Sequence, residues 1–171
     1  GCLLLSCLSE LTMATGIGVD INSDAIAMAA HNAANHGLDD RAAFVLADFK
    51  IDLAHLGCFD IVLCNPPYIP SAQIANLSPE VVLYDPHLAL DGGLDGLDFW
   101  RLLMPVMVKL LSAQGQAFVE IGDGQSFDVL ALADLAGLSN TGIYRDLSGI
   151  VRCLSFSGGA NQLSKAEMSF V

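Results

Sequence analysis

Asn65-Pro66-Pro67-Tyr68 is the stretch of this sequence best equipped for chemistry. It follows the apolar run Ile61-Val62-Leu63-Cys64, which reads as a buried parallel strand, and a proline pair cannot continue a ladder because it offers no N–H donors. Asn65 therefore stands at a strand's carboxyl end. The residue before a proline is pushed toward extended backbone, so the Asn65 side-chain oxygen and the Pro66 carbonyl are held stiffly as two acceptors. Two acceptors match the two N–H groups of an –NH2. An amide or aniline-like nitrogen is a poor nucleophile because its lone pair is delocalised. Gripping both N–H groups points that pair at an electrophilic methyl carbon, and positioning of this kind supplies up to roughly 7–11 kcal/mol. Tyr68 would pack on the planar group; the bland alternative is a Pro-Pro turn that merely ends a strand.

The elements that must position this tetrapeptide alternate between strands and helices. Residues Gly1 to about Thr12 read as a helix, Thr15 to Asp20 as a strand, and Asp24 to about His36 as a helix that Ser23 caps and Gly37 closes. Ala43 to Ala47 and Phe59 to Cys64 are further strands, and the alternation implies right-handed crossovers and a mostly parallel sheet. Successive strand ends then carry Asp20, Asp48 and Asn65, and ligands of open α/β sheets bind outside the strands' carboxyl ends, so one crevice is expected for all of them. An acid at the Asp20 position can accept from both hydroxyls of a ribose, whereas Asp48-Phe49 offers an acceptor for an adenine amino group and an apolar face for its ring. Either acid taken alone could equally be a cap or turn residue.

Ile69 to Gly96 is a long connection whose apolar content predicts an ordered lid. Leu97 to Leu111 reads as a helix kinked at Pro105, Gln116 to Ile121 as a strand, and Gly122-Asp123-Gly124-Gln125 as the opening of a helix to about Ala136. Thr141 to Leu147 and Val151 to Phe156 form an antiparallel hairpin at the sheet edge, and residues 158–171 read as a flexible tail behind a single domain over 1–157.

Composition narrows the partners. A net charge of −12 with only seven Lys and Arg argues against a phosphate-tracking surface, so nucleic acid is disfavoured. The five cysteines form no CxxC pair and read as buried, reduced thiols of a cytoplasmic protein. His31, His36, His55 and His87 lack metal-ligand spacing, and no apolar run reaches the roughly 18–20 residues of a membrane span.

Beyond the tetrapeptide, Tyr84-Asp85-Pro86, Leu88 to Gly93, Asp95 to Asp98, Glu120-Ile121-Gly122 with Gly124-Gln125, and Arg145-Asp146-Leu147 with Gly149-Ile150 and Arg152 complete a pattern. Over residues 1 to 156 it resembles the S-adenosylmethionine-dependent methyltransferases with a seven-stranded Rossmann-like sheet, and within them the HemK/PrmC family of release-factor glutamine methyltransferases. The resemblance implies methyl transfer to the side-chain amide of the glutamine in the GGQ motif of peptide-chain release factors. It implies that Gly1, Asp20, Asp48, Phe49 and Asn65 bind S-adenosylmethionine, and that Asn65, Pro66, Pro67 and Tyr68 hold the glutamine. Phe49 stands where the family commonly has Trp, keeping the stacking face but not the N–H donor.

The chain opens at Gly1-Cys2-Leu3 without a methionine. The family pattern has, upstream, a small helical domain, a strand and a Gly-rich loop, of which only Gly1 could be the last glycine. The expectation is an inactive fragment lacking the sheet's first, central strand, with two strand edges unpaired or collapsed together. The rival readings are an amino-methyltransferase acting on adenine or guanine of nucleic acid, and a nonenzymatic remnant that serves as a binding module.

Overall fold

A computed structural model describes residues 1–49 and 53–158, which fall in two compact units, Gly1–Leu53 and Ala54–Val171. In the first, α1 (Cys2–Glu10) leads to β1 (Gly16–Asp20), then α2 (Ser23–Asn35), then β2 (Ala42–Leu46). The two strands are parallel, paired from Gly16 with Ala42 to Asp20 with Leu46. Leu5 and Leu8 of α1 meet Ala33 of α2 and Leu38 in an apolar cluster, flanked by Leu4, Ala14, Ala42 and Phe44. The small Ala29 and Ala33 on the buried face of α2 let the helix approach closely.

Both helices are finished by polar groups outside their own span. Asn22, in extended backbone, accepts from the N–H groups of Asp24 (2.8 Å) and Ala25 (3.4 Å), so Asn22 is the cap of α2 and the expected Ser23 is already inside the helix. At the end of α1 no basic residue is available locally. The Arg41 guanidinium supplies one from afar, donating to the carbonyls of Leu8 (2.9 Å), Leu11 (3.1 Å) and Ala14 (2.9 Å). Carbonyls that a helix end leaves without partners thus gain both donors and a favourable charge.

The second unit is built on a four-stranded sheet in the order β3 (Phe59–Cys64), β4 (Leu111–Glu120), β6 (Val151–Gly158), β5 (Leu138–Arg145). β3 and β4 are parallel, whereas β6 is antiparallel to both of its neighbours. The expected closing hairpin is present, with β6 inserted next to β4 and β5 on the outside; β5 also starts earlier than expected, at Leu138. Among the described residues β1 pairs only with β2 and β3 only with β4. Gly158 belongs to β6, and the remainder of the expected tail lies outside the described residues.

Period-two burial marks the core of this sheet: Ala117 and Val119 of β4, and Ile121 just past its end, are fully buried, as are Leu154 and Phe156 of β6. They are covered by Trp100, Leu103, Met104, Met107 and Leu110 of α5 (Asp98–Leu110) and by Val129 and Ala133 of α6 (Ser126–Ala136). The α5 positions recur at helical spacing on one face. α5 runs on through Pro105, which is exposed, so the carbonyl its ring leaves unbonded can turn to water. The cysteines are less buried than expected: Cys2 and Cys58 are exposed and Cys7, Cys64 and Cys153 are half-buried, all as free thiols.

Candidate active site

β3 ends at Cys64, and the chain turns at once into Asn65, exposed, Pro66, buried, and the half-buried Pro67 and Tyr68. Asn65, Pro66, Tyr68, Ile69, Ala89 and Leu90 line a half-open depression of about 140 Å³. That is smaller than the roughly 300–1,000 Å³ of a whole small-molecule site and suits the end of one side chain. Among the described residues neither the Asn65 side chain nor the Pro66 carbonyl has a hydrogen-bond partner, so both acceptors remain available. Burial pushes the neighbouring Cys64 thiol up to about 12.

The far wall comes from the long connection, which is ordered as expected. It holds a 3-10 turn (Ser71–Asn76), α3 (Pro79–Tyr84) and α4 (His87–Leu90). Its return stretch is strapped to the clamp: the Ile69 N–H donates to Leu90 (3.0 Å), Gly92 to Ile69 (2.9 Å) and Ser71 to Gly93 (2.9 Å). The fit is close, since a Cβ on Gly92 would stand 2.8 Å from the Tyr68 Cα and 2.9 Å from the Gly96 Cα. Side chains anchor the same segment. Asp91 accepts from the Ser71 hydroxyl (2.6 Å) and the Gly93 N–H (2.9 Å), and Asp95 is gripped by Arg101, which also reaches Asp98 (2.8 Å).

These contacts hold both carboxyls below the ordinary carboxylate value of 3.8, Asp91 chiefly through Ser71, and Asp95 through the Arg101 guanidinium, to about 2. A depressed carboxyl stabilises the fold above its unfolded value, and the contribution disappears as pH falls through the folded one. Order in residues 69–96, followed by amide hydrogen exchange, is therefore expected to be constant from pH 8 to about pH 5 and to decay between about pH 4 and pH 2.

Tyr68 is pinned at both ends. Its hydroxyl donates to Glu120 Oε1 at the end of β4 (3.0 Å), and burial, followed by that carboxylate, raises its pKa, so the phenol stays protonated. Its carbonyl accepts from Gln125 Nε2 (2.9 Å). Neither Glu120 nor Gln125 stood out by chemistry in the sequence. The available signal was a polar residue in a Gly-rich turn just past a strand end, the same logic that exposed Asn65.

The first unit carries the other site residues expected from sequence. Asp20 ends β1 and Asp48-Phe49 follow β2, so both acids lie at the carboxyl end of adjacent parallel strands. Asp20 Oδ1 accepts from the Asn22 N–H (2.9 Å), which orients the exposed carboxylate and leaves Oδ2 to a ligand; Asp48 and Phe49 are half-buried. Gly1 precedes α1, where a Cβ would come within 2.8 Å of the Ala29 Cβ. Asn65 belongs to the second unit. Among the described residues no group of three His, Cys, Asp or Glu is placed to hold a metal ion, and no helix is long and apolar enough to cross a membrane.

Residues 2–90 match the family model described as a methyltransferase domain. The chain belongs to the methyltransferase domain family. The wider resemblance is borne out by relatives: the release factor glutamine methyltransferase of Rhodospirillum rubrum is 47% identical over 90% of this chain and 47% of its own length. That of Bradyrhizobium diazoefficiens is 43% identical over 91% of the chain and 52% of its own. The chain thus spans about half the length of the curated relatives it matches. In fold, the methyltransferase domain is similar to the hMettl16 catalytic domain, with a TM-score of 0.69 at 15% identity over 94% of this chain and 61% of that one. The architecture is accordingly a mixed α/β methyltransferase-like fold, with parallel and antiparallel strands.

Proposed function

We propose that the protein of which this sequence is part methylates the side-chain amide nitrogen of a glutamine in a peptide-chain release factor, in its GGQ motif, using S-adenosylmethionine. The observation that supports this reading best is the pair of acceptors, Asn65 and the Pro66 carbonyl, that have no hydrogen-bond partner among the described residues and line a depression sized for one side-chain terminus. The primary amide of glutamine brings two N–H donors to match them. Relatives named release factor glutamine methyltransferases support the choice of substrate.

The donor set in the first unit fits the cofactor: an oriented carboxylate at Asp20 for a ribose diol, Asp48 with Phe49 just after β2 for the amino group and face of adenine, and Gly1 at the start of α1. When bound, S-adenosylmethionine supplies an electrophilic methyl group on a sulfonium. The Asn65 side-chain oxygen and the Pro66 carbonyl would accept hydrogen bonds from the two amide N–H groups and localise the nitrogen lone pair toward the methyl; as the N–CH3 bond forms the S–CH3 bond would break to leave a thioether and one amide proton would pass to solvent, with Tyr68, kept neutral, packing on the planar amide.

Incubating the full-length protein with methyl-labelled cofactor and either a release factor or nucleic acid tests the reading. Label is expected on the GGQ glutamine and absent from nucleic acid; label on adenine or guanine, with none on the release factor, would replace this proposal with the base-directed one.

A further inference from the structure

We infer that Gln125 is a positioning residue that sets the register of the amide clamp, an inference that rests on reading Asn65 to Tyr68 as the amide holder. Its half-buried side chain uses its whole hydrogen-bonding fork on backbone groups from separate segments. Oε1 accepts from the Gly122 N–H (2.9 Å), while Nε2 gives one proton to the Tyr68 carbonyl (2.9 Å) and the other to the Gly96 carbonyl (3.1 Å). The surroundings are cut to this amide. A Cβ on Gly122 would stand 2.8 Å from Oε1, and one on Gly96 would stand 2.7 Å from Nε2.

The chemistry of the fork is specific. An amide offers one acceptor and two donors in a plane; an ionised carboxylate of the same shape keeps the acceptor and loses both donors, and a thioether loses all three. Tyr68 is the only member of the clamp with side-chain or carbonyl anchors of this kind among the described residues, through Gln125 at its carbonyl and Glu120 at its hydroxyl. Asn65 and the Pro66 carbonyl have none, and the stiff proline pair between them and Tyr68 carries the position set by Gln125 back to both acceptors. The same side chain ties in Gly96, which abuts the return stretch that walls the depression. Gln125 touches no substrate; it acts through Tyr68.

The test uses Gln125→Met and Gln125→Glu in the full-length protein, the second carrying the argument should the first fail to fold. In both, kcat for methyl transfer to the glutamine amide is expected to fall about 10- to 100-fold, with KM for the methyl donor held within about twofold, because misplacement of the nucleophile costs rate rather than donor binding. In nuclear magnetic resonance spectra the Asn65 side-chain amide and the Ile69 N–H signals should move while those of the β4–β6 ladder stay. A wild-type kcat, or unmoved Asn65 and Ile69 signals, overturns the inference. Absence of glutamine methylation by the wild type would instead remove the proposed function, and the spectra alone would then decide on Gln125.

Discussion

Asn65→Ala is expected to lower methyl transfer to the glutamine amide by at least about 100-fold, the scale on which a single oriented hydrogen-bonding group at a reacting centre is worth rate. The substitution removes the one side-chain acceptor of the clamp and leaves the Pro66 carbonyl to hold a single N–H. A nitrogen held by one hand rotates, and its lone pair loses its aim. Because Asn65 is exposed and its side chain makes no hydrogen bond among the described residues, the same change should leave stability within about 0.5 kcal/mol. Single-turnover kinetics alongside thermal melting would separate the two effects. Near-wild-type transfer by the variant would remove Asn65 from the mechanism.

Gly96→Ala is expected to act in the opposite way, through the fold. Gly96 has a φ of +76°, a left-handed conformation that L side chains resist, and its added Cβ would run into the Tyr68 carbonyl oxygen and sit 2.7 Å from Gln125 Nε2. The backbone penalty of roughly 1–2 kcal/mol adds to an overpacking cost of roughly 1–3 kcal/mol. The collision is with backbone, which cannot swing aside as a long side chain would. A fall in melting temperature of roughly 5–15 °C follows at this chain length, and activity should drop with it, because the displaced carbonyl belongs to Tyr68. A melting curve superimposable on wild type would show that the Gly96 turn has room the geometry denies.

What the sequence disclosed and what it hid divide along the distance over which each interaction acts. β3 and its abrupt end at Asn65 were legible because an apolar run and two prolines decide that conformation by themselves. α5 was legible from the spacing of Trp100, Leu103, Met104 and Met107. The cap of α2 was misplaced by one residue, since Asn22 and Ser23 are equally good caps by type and only the extended backbone at Asn22 distinguishes them. Arg41 closing α1 from a point 33 residues beyond Leu8 has no local signature. The same holds for β6 slipping between β4 and β5: a hairpin pattern says which strands are joined, and the apolar faces of Leu154 and Phe156 only hint at which of them lies inside. The tetrapeptide announced the acceptors, while Glu120 and Gln125, more than fifty positions later, belonged to the pattern without their chemistry showing: their bonds to Tyr68 are made only when the fold brings the strand ends together.

Cys64 carries a consequence of its own. Burial pushes its thiol up to about 12 and so favours the protonated form at neutral pH, although this sulfur immediately precedes the clamp in sequence. A thiolate is a far better acceptor of alkyl groups than an amide nitrogen, and favouring the thiol form keeps the Cys64 sulfur a poor nucleophile at the end of β3. It also makes Cys64 a built-in gauge of local opening, since an alkylating reagent can reach its reactive form only when the end of that strand is exposed to water.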